Sequence, residues 1–328
     1  MLFFIVCACF ALFPAQVLYG AQNGLALCIN AVIPSLLPFM LLSLCVIKSG
    51  FSRPLGVAVS KVLSPITNLS TAGCVAFITG LFGGYGAGAK AVYESYTEGQ
   101  ISKEEAQRLL PFCNNAGPLF VIATVGISFY LSKSVGITLF IIQIVTALIC
   151  ARIFAVETNE KGENIKDAWN DYKKNKLPFG ELITKSAIQS AAAIINVSVF
   201  IITFSAILEI LPFGEYRTLA GILEVTRGVA ELSREGESAL PLISALLSWG
   251  GMSVHFQASA LTKGEFDMKI YYFGKIIASA ISYLITLAIC SDTYMFLYLS
   301  IGVLFIVAAV KFFLKYTQQR VFRQQQHS

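Results

Sequence analysis

The chain has 328 residues, of which 56% are hydrophobic and 13% charged, with a net charge of +5 and a mean hydropathy of +0.70. A soluble domain carries about a quarter charged residues, so this composition excludes a separate soluble domain and predicts one integral membrane domain over 1–328. The eight cysteines lie in or beside apolar runs without a CxxC pair; neither a disulfide framework nor a metal site is expected, and no cofactor.

Apolar stretches run over 2–19, 28–47, 72–84, 109–131, 135–155, 190–212, 239–262, 268–290 and 293–311. Residues 1–20 read as a peripheral first span rather than a cleaved leader, because no basic segment precedes the apolar run and 21–23 is a poor cleavage context. Repeat one follows over 24–155. Within it, 72–84 is too short for a hydrocarbon core about 30 Å thick and reads as one arm of a re-entrant hairpin returning near 91–96. The stretch 109–131 reads as a crossing broken at 112–118. Residues 156–183 form a charge-balanced, solvated cytoplasmic linker. Repeat two, over 184–290, has the weaker segment 219–232 as its hairpin and 239–262 as its broken crossing. A last span and basic tail occupy 291–328, where Lys311, Lys315, Arg320 and Arg323 suit anionic lipid and not nucleic acid.

Cations orient these spans. Lys48, Arg53 and Lys61, then Lys103 and Arg108, then Lys263, Lys269 and Lys275 place their loops in the cytoplasm, whereas 132–134 and 291–293 face outward. Both termini are therefore expected inside, in a multi-pass protein of the cell membrane. Each half has three full crossings and one hairpin, and an odd number inverts the second half against the first. The expected fold is all-α and polytopic, with two inverted-topology repeats, each holding a re-entrant hairpin and a broken transmembrane helix. A weak internal similarity pairs Ile33–Phe39 with Ile195–Phe200, and Leu110–Phe120 with Leu247–Gln257.

Backbone inside a bilayer leaves helical geometry only where protein or water satisfies the freed N–H and C=O groups, so matched breaks point to a solute site. Asn114 and Asn115 offer amide donors and acceptors beside Pro118, either to a solute or to a neighbouring helix. Glu224 lies in an apolar run and is a candidate for solute or proton binding; an ion pair with Arg227, three residues on, is the competing reading. Thr226 joins it as a hydroxyl ligand. Gly84, Gly88, Gly250 and Gly251 allow close backbone approach, and Ser253 and His255 are further candidates. The stretch from Gly83 to Lys90 misses a phosphate loop because Ala89 stands where lysine is required, so it reads as a tight hairpin tip. No nucleophile, base and orienting acid form a catalytic signature; an enzyme is not expected.

The motifs Gly83-Gly84-Tyr85 with Gly88-Ala89-Lys90, Asn114-Asn115-Ala116-Gly117-Pro118-Leu119-Phe120 and Leu223-Glu224-Val225-Thr226-Arg227-Gly228 occur in this order. On them the chain resembles the YlbJ-like sporulation integral membrane proteins and the broader Gate, or nucleoside-recognition, domain family. Gly86 departs from the pattern, which would have proline there. The resemblance implies an architecture like that of concentrative nucleoside transporters and a role in endospore formation. The expected function is a permease-like protein that binds or moves a small polar solute such as a nucleoside, with a coupling proton or sodium ion compatible with the residues present. A non-transporting membrane component of spore formation, with self-association or sporulation partners, is the alternative.

The topology is open to direct measurement. Single cysteines at 132–134 or 291–293, in a cysteine-free background, are expected to react with an impermeant thiol reagent from outside, and cysteines at Lys103 or Lys269 from inside only. Outside labelling at Lys103 or Lys269 contradicts the inverted arrangement.

Overall fold

Proline sets the shape of the N-terminal region in the computed structural model, which describes residues 2–154, 164–174, 177–210, 217–291 and 302. Helix α1 (Leu2–Leu12) ends ahead of Pro14, whose ring opens α2 (Pro14–Leu27), and the chain bends there by 102°. From Pro14 the helix continues through a π-helical turn (Cys28–Val32) into α3 (Ile33–Lys48) without interruption. Pro34 donates no N–H to the preceding turn, and the wider turn accommodates that loss. Residues 21–23 are therefore helical, and the first two apolar stretches, 2–19 and 28–47, are divided at Phe13 rather than near residue 20.

Helix α4 (Ser52–Thr67) turns away from α3 by 91° and ends at Asn68, whose left-handed φ of 56° stops it. It carries α9 (Ile165–Lys174), a helix within the stretch 156–183 expected to be solvated linker. The Phe51 ring meets Trp169 and Tyr172 edge-on at 6.1 and 5.8 Å, and Arg53 pairs with Asp171 at 3.2 Å. Packing thus orders part of the linker, because Ala168 and these rings give α9 an apolar face.

The first hairpin is α5 (Thr71–Gly83) and α6 (Ala87–Thr97). Ser70 caps α5 by accepting the Gly73 N–H at 2.9 Å, and the tip turns through Gly84 and Gly86, with φ of 79° and 82°. Its return arm starts at Ala87, ahead of the expected 91–96. Helix α7 (Lys103–Cys113) stops at Asn114, and a π-helical segment (Phe120–Phe129) resumes the crossing after Pro118. Straight α8 (Lys133–Ile153) closes the half.

The second half repeats this order. Long α10 (Phe179–Ile210) is followed by a short hairpin, α11 (Arg217–Leu223) and α12 (Val225–Leu232). After a 3-10 segment (Ser233–Ala239) come α13 (Leu240–Trp249) and α14 (Gly251–Leu261), broken at Gly250 and Gly251 with φ of 89° and 79°. Straight α15 (Met268–Cys290) ends the described helices. A long helix, a hairpin, a broken helix and a straight helix in each half are consistent with inverted repeats. The span expected at 293–311 and the tail beyond it lie outside the described residues, apart from Gly302.

Among the described residues, Lys133–Ile153, Phe179–Ile210 and Met268–Cys290 are continuous helices long and apolar enough to cross a membrane, and Val225–Leu261 qualifies as a broken run. Small residues set their closeness: a methyl group on Gly20 would lie 2.8 Å from the Ala206 Cα, and one on Gly24 2.9 Å from that of Ile202, so α2 and α10 pack backbone to backbone. Gly80 on α5 and Gly88 on α6 similarly straddle the Cys113 carbonyl at the end of α7.

Gly88→Ala places a methyl over that carbonyl, which has no flexible end to move away, and is expected to lower stability by about 1–3 kcal/mol. Gly180→Ala, in the open first turn of α10, is expected to be neutral or slightly stabilising. Thermal unfolding of both variants in detergent checks the pair.

Candidate solute site

The first break has to satisfy the carbonyls that α7 leaves open at its C-terminal end. Asn115 turns its amide back to donate to the Phe112 carbonyl. The Lys275 ammonium on α15 donates to the Asn114 carbonyl at 2.5 Å and lies 3.4 Å from the Asn115 Oδ1. Gln143 on α8 donates to the Ala116 carbonyl at 2.8 Å. The Asn114 side chain then ties this break to its surroundings: its Oδ1 accepts the Gly86 N–H of the hairpin tip at 2.7 Å, and its Nδ2 donates to the Tyr271 hydroxyl at 2.9 Å.

The second hairpin tip rests on the second break in the same way. A methyl group on Gly251 would lie 2.9 Å from the Val225 nitrogen and 3.4 Å from the Glu224 Cα. Glu224 is the N-cap of α12: its two carboxylate oxygens accept the N–H groups of Thr226 at 3.1 Å and Arg227 at 2.7 Å. A carboxylate at a helix N-terminus is favoured by the helix dipole and the open N–H groups together. Arg227 does not form the anticipated ion pair with Glu224. Its guanidinium binds Glu231 at 2.8 Å, Glu209 at 3.0 Å and the Ser205 carbonyl at 2.8 Å. Tyr85, at the first tip, joins the halves by donating to the Leu247 carbonyl at 2.5 Å.

Between the tips lies a chamber of about 70 Å³, lined among others by Gly84, Tyr85, Glu224, Thr226, Ser253 and Gln257. It shares Met40, Tyr85, Val197, Phe200 and Gln257 with a compartment of about 390 Å³ that adds Lys90, Gln189 and Asn196. That compartment shares Leu44, Ile47, Lys90 and Gln189 with a vestibule of about 780 Å³, which opens beside Lys48, Arg53 and Glu98. Small-molecule sites hold roughly 300–1,000 Å³. The innermost chamber is below that range and the middle compartment within it.

Of the residues expected from the sequence, Gly84, Glu224, Thr226 and Ser253 share the inner chamber. Asn114, Asn115, Gly88, Gly250 and Gly251 stand behind it and shape the breaks. His255 also lies behind the chamber wall, fully buried, with its ring 4.1 Å from Trp249, 5.1 Å from Tyr271 and 5.3 Å from Tyr272. Lys275 corrects a further reading: it is not a loop cation but a fully buried side chain two turns into α15. Its signal was a lysine two turns inside the apolar run 268–290, well beyond Lys269 at the start of that run. Gln143 and Asn196 carried the same signal, a single amide in an apolar stretch. No cluster of His, Cys, Asp and Glu suited to a metal occurs among the described residues.

Glu224→Gln removes a charged cap and is expected to cost about 1 kcal/mol. Arg227→Gln strands two partly buried carboxylates and is expected to cost on the order of 2 kcal/mol. Because the two side chains do not pair, the double variant is expected to lose at least as much as either single one in thermal unfolding. Rescue of one change by the other would restore the ion-pair reading.

No family model matches the chain, and no solved structure matches it significantly. It is similar to the sporulation integral membrane protein YlbJ of Bacillus subtilis (strain 168), with 26% identity over an alignment that covers 79% of this chain and 74% of that protein. Several long apolar helices and this similarity agree on a multi-pass membrane protein. The chain is YlbJ-like.

Proposed function

We propose that the chain is a permease-like membrane protein for a small polar solute of about nucleoside size, acting in the membrane of a sporulating cell. The observation that carries the reading is the graded path of three wall-sharing compartments from the Lys48 and Arg53 face to Glu224. Lys90, Gln189, Asn196 and Gln257 line the middle compartment, whose volume suits one such solute, and Glu224, Thr226 and Ser253 lie at its inner end. The amides and the carboxylate offer donors and acceptors to hydroxyl and base groups, while Met40, Leu44 and Phe200 offer apolar contact to a ring. The cation distribution favours a cytoplasmic position for the open face. The resemblance to nucleoside-recognition proteins favours a nucleoside, and the name of YlbJ supports the sporulation setting; catalysis is no part of this reading.

That same name speaks of sporulation and not of transport, which favours the second reading, a membrane component of spore formation that moves no solute. Uptake of labelled nucleosides into proteoliposomes separates the two. Under the permease reading at least one nucleoside accumulates above empty vesicles and raises the unfolding temperature of the purified protein. Ala193→Phe, placed in the wall of the middle compartment, then lowers uptake about tenfold or more, equivalent to ~1.4 kcal/mol, with the fold retained. No uptake and no thermal shift across the nucleosides contradicts the permease reading for that solute class and supports the second.

A further inference from the structure

Lys275 is the least expected polar group among the described residues: a lysine wholly out of solvent in a membrane helix, whose described hydrogen-bond partners are an amide oxygen and a backbone carbonyl rather than a carboxylate. A buried ammonium without a counterion is costly unless dipoles replace its water. Here they do. The ammonium sits at the C-terminal end of the half-helix α7, where open carbonyls and the helix dipole concentrate negative potential. Among the described residues, the thiols of Cys113 and Cys150 and the imidazole of His255 also interact electrostatically with the ammonium.

In broken-helix membrane proteins an unwound C-terminal end of this kind commonly coordinates a sodium ion through its carbonyls. The Asn114 carbonyl and the Asn115 Oδ1 would be such ligands, and both face the Lys275 Nζ. We propose that the Lys275 ammonium is the resident cation of the first break: it takes the place of a metal cation, so that the break and the hairpin tip it carries assemble without sodium. Asn114 transmits the effect, since one residue supplies the carbonyl to Lys275, Oδ1 to the Gly86 N–H and Nδ2 to Tyr271. The consequence for a carrier, which alone rests on the permease reading, is that any sodium coupling would have to use another place than the first break.

The test is thermal unfolding of the purified full-length protein in sodium chloride and in choline chloride at equal ionic strength, so that transport plays no part in the readout. The wild type is expected to unfold at the same temperature in both salts. Lys275→Ala, which opens room for an ion, is expected to lose stability in choline and regain at least half of the loss with saturable dependence on sodium. Lys275→Met, which fills the room without charge, is expected to show the loss without the recovery. Saturable sodium stabilisation of the wild type overturns the proposal. So does a Lys275→Ala protein as stable as wild type in choline, equally impaired in both salts, or not recoverable from sodium-containing buffer. Equal sodium recovery by Lys275→Met also overturns it, since the ion would then bind elsewhere.

Discussion

The structure depends on satisfying backbone groups where helices break inside a bilayer. Each unmet carbonyl or N–H in hydrocarbon costs several kcal/mol, more than a membrane helix contact returns at about 1 kcal/mol. A break can therefore persist only where side chains, turns or water complete it. In the first half the donors are Asn115 from the break itself, Gln143 from α8 and Lys275 from α15. In the second half glycines turn the chain at Gly250 and Gly251, and Glu224 accepts the N–H groups that open α12. The first break thus ties together helices far apart in sequence.

These completions also position the cavity. Asn114 holds the first tip through Gly86, and Tyr85 reaches from that tip to Leu247 in the other half. The second tip lies on Gly251, and Arg227 binds it to α10 through Glu209 and the Ser205 carbonyl. What lies between the tips is consequently narrow, while the space between α3, α6 and α10 is wider. Under the permease reading, passage of a solute beyond the inner chamber would require the tips to part, breaking the Tyr85 contact to the Leu247 carbonyl that joins the halves.

Much of this architecture was legible in the sequence. The two hairpins and both broken crossings could be read because glycine, asparagine and proline interrupt apolar runs too short or too polar for plain crossings. Glu224 stood out for the same reason, although its cap to α12 was hidden because the break falls at the glutamate itself. The continuous helix from Pro14 to Lys48 was not legible, since a π-helical turn absorbs a proline without leaving a polar loop. Nor was the packing of α9 on α4, where Trp169 and Tyr172 supply an apolar face among charged residues. Lys275 was misplaced because charge counting treats a lysine near a helix end as a loop cation; only the tertiary fold brings the Asn114 carbonyl to it. The amides lining the middle compartment come from different helices, and a single sequence carries no sign of that convergence.

The central claim is that the Glu224 chamber is reached along one path from the face carrying Lys48 and Arg53. The most direct measurement is the accessibility of a single cysteine at Thr226 in a cysteine-free protein reconstituted with known orientation. The account predicts that a small impermeant thiol reagent reaches it from the Lys48 and Arg53 face only, and that a bound nucleoside slows the reaction. Labelling from the opposite face alone, or no labelling by a reagent that reacts at Lys90→Cys, would contradict it.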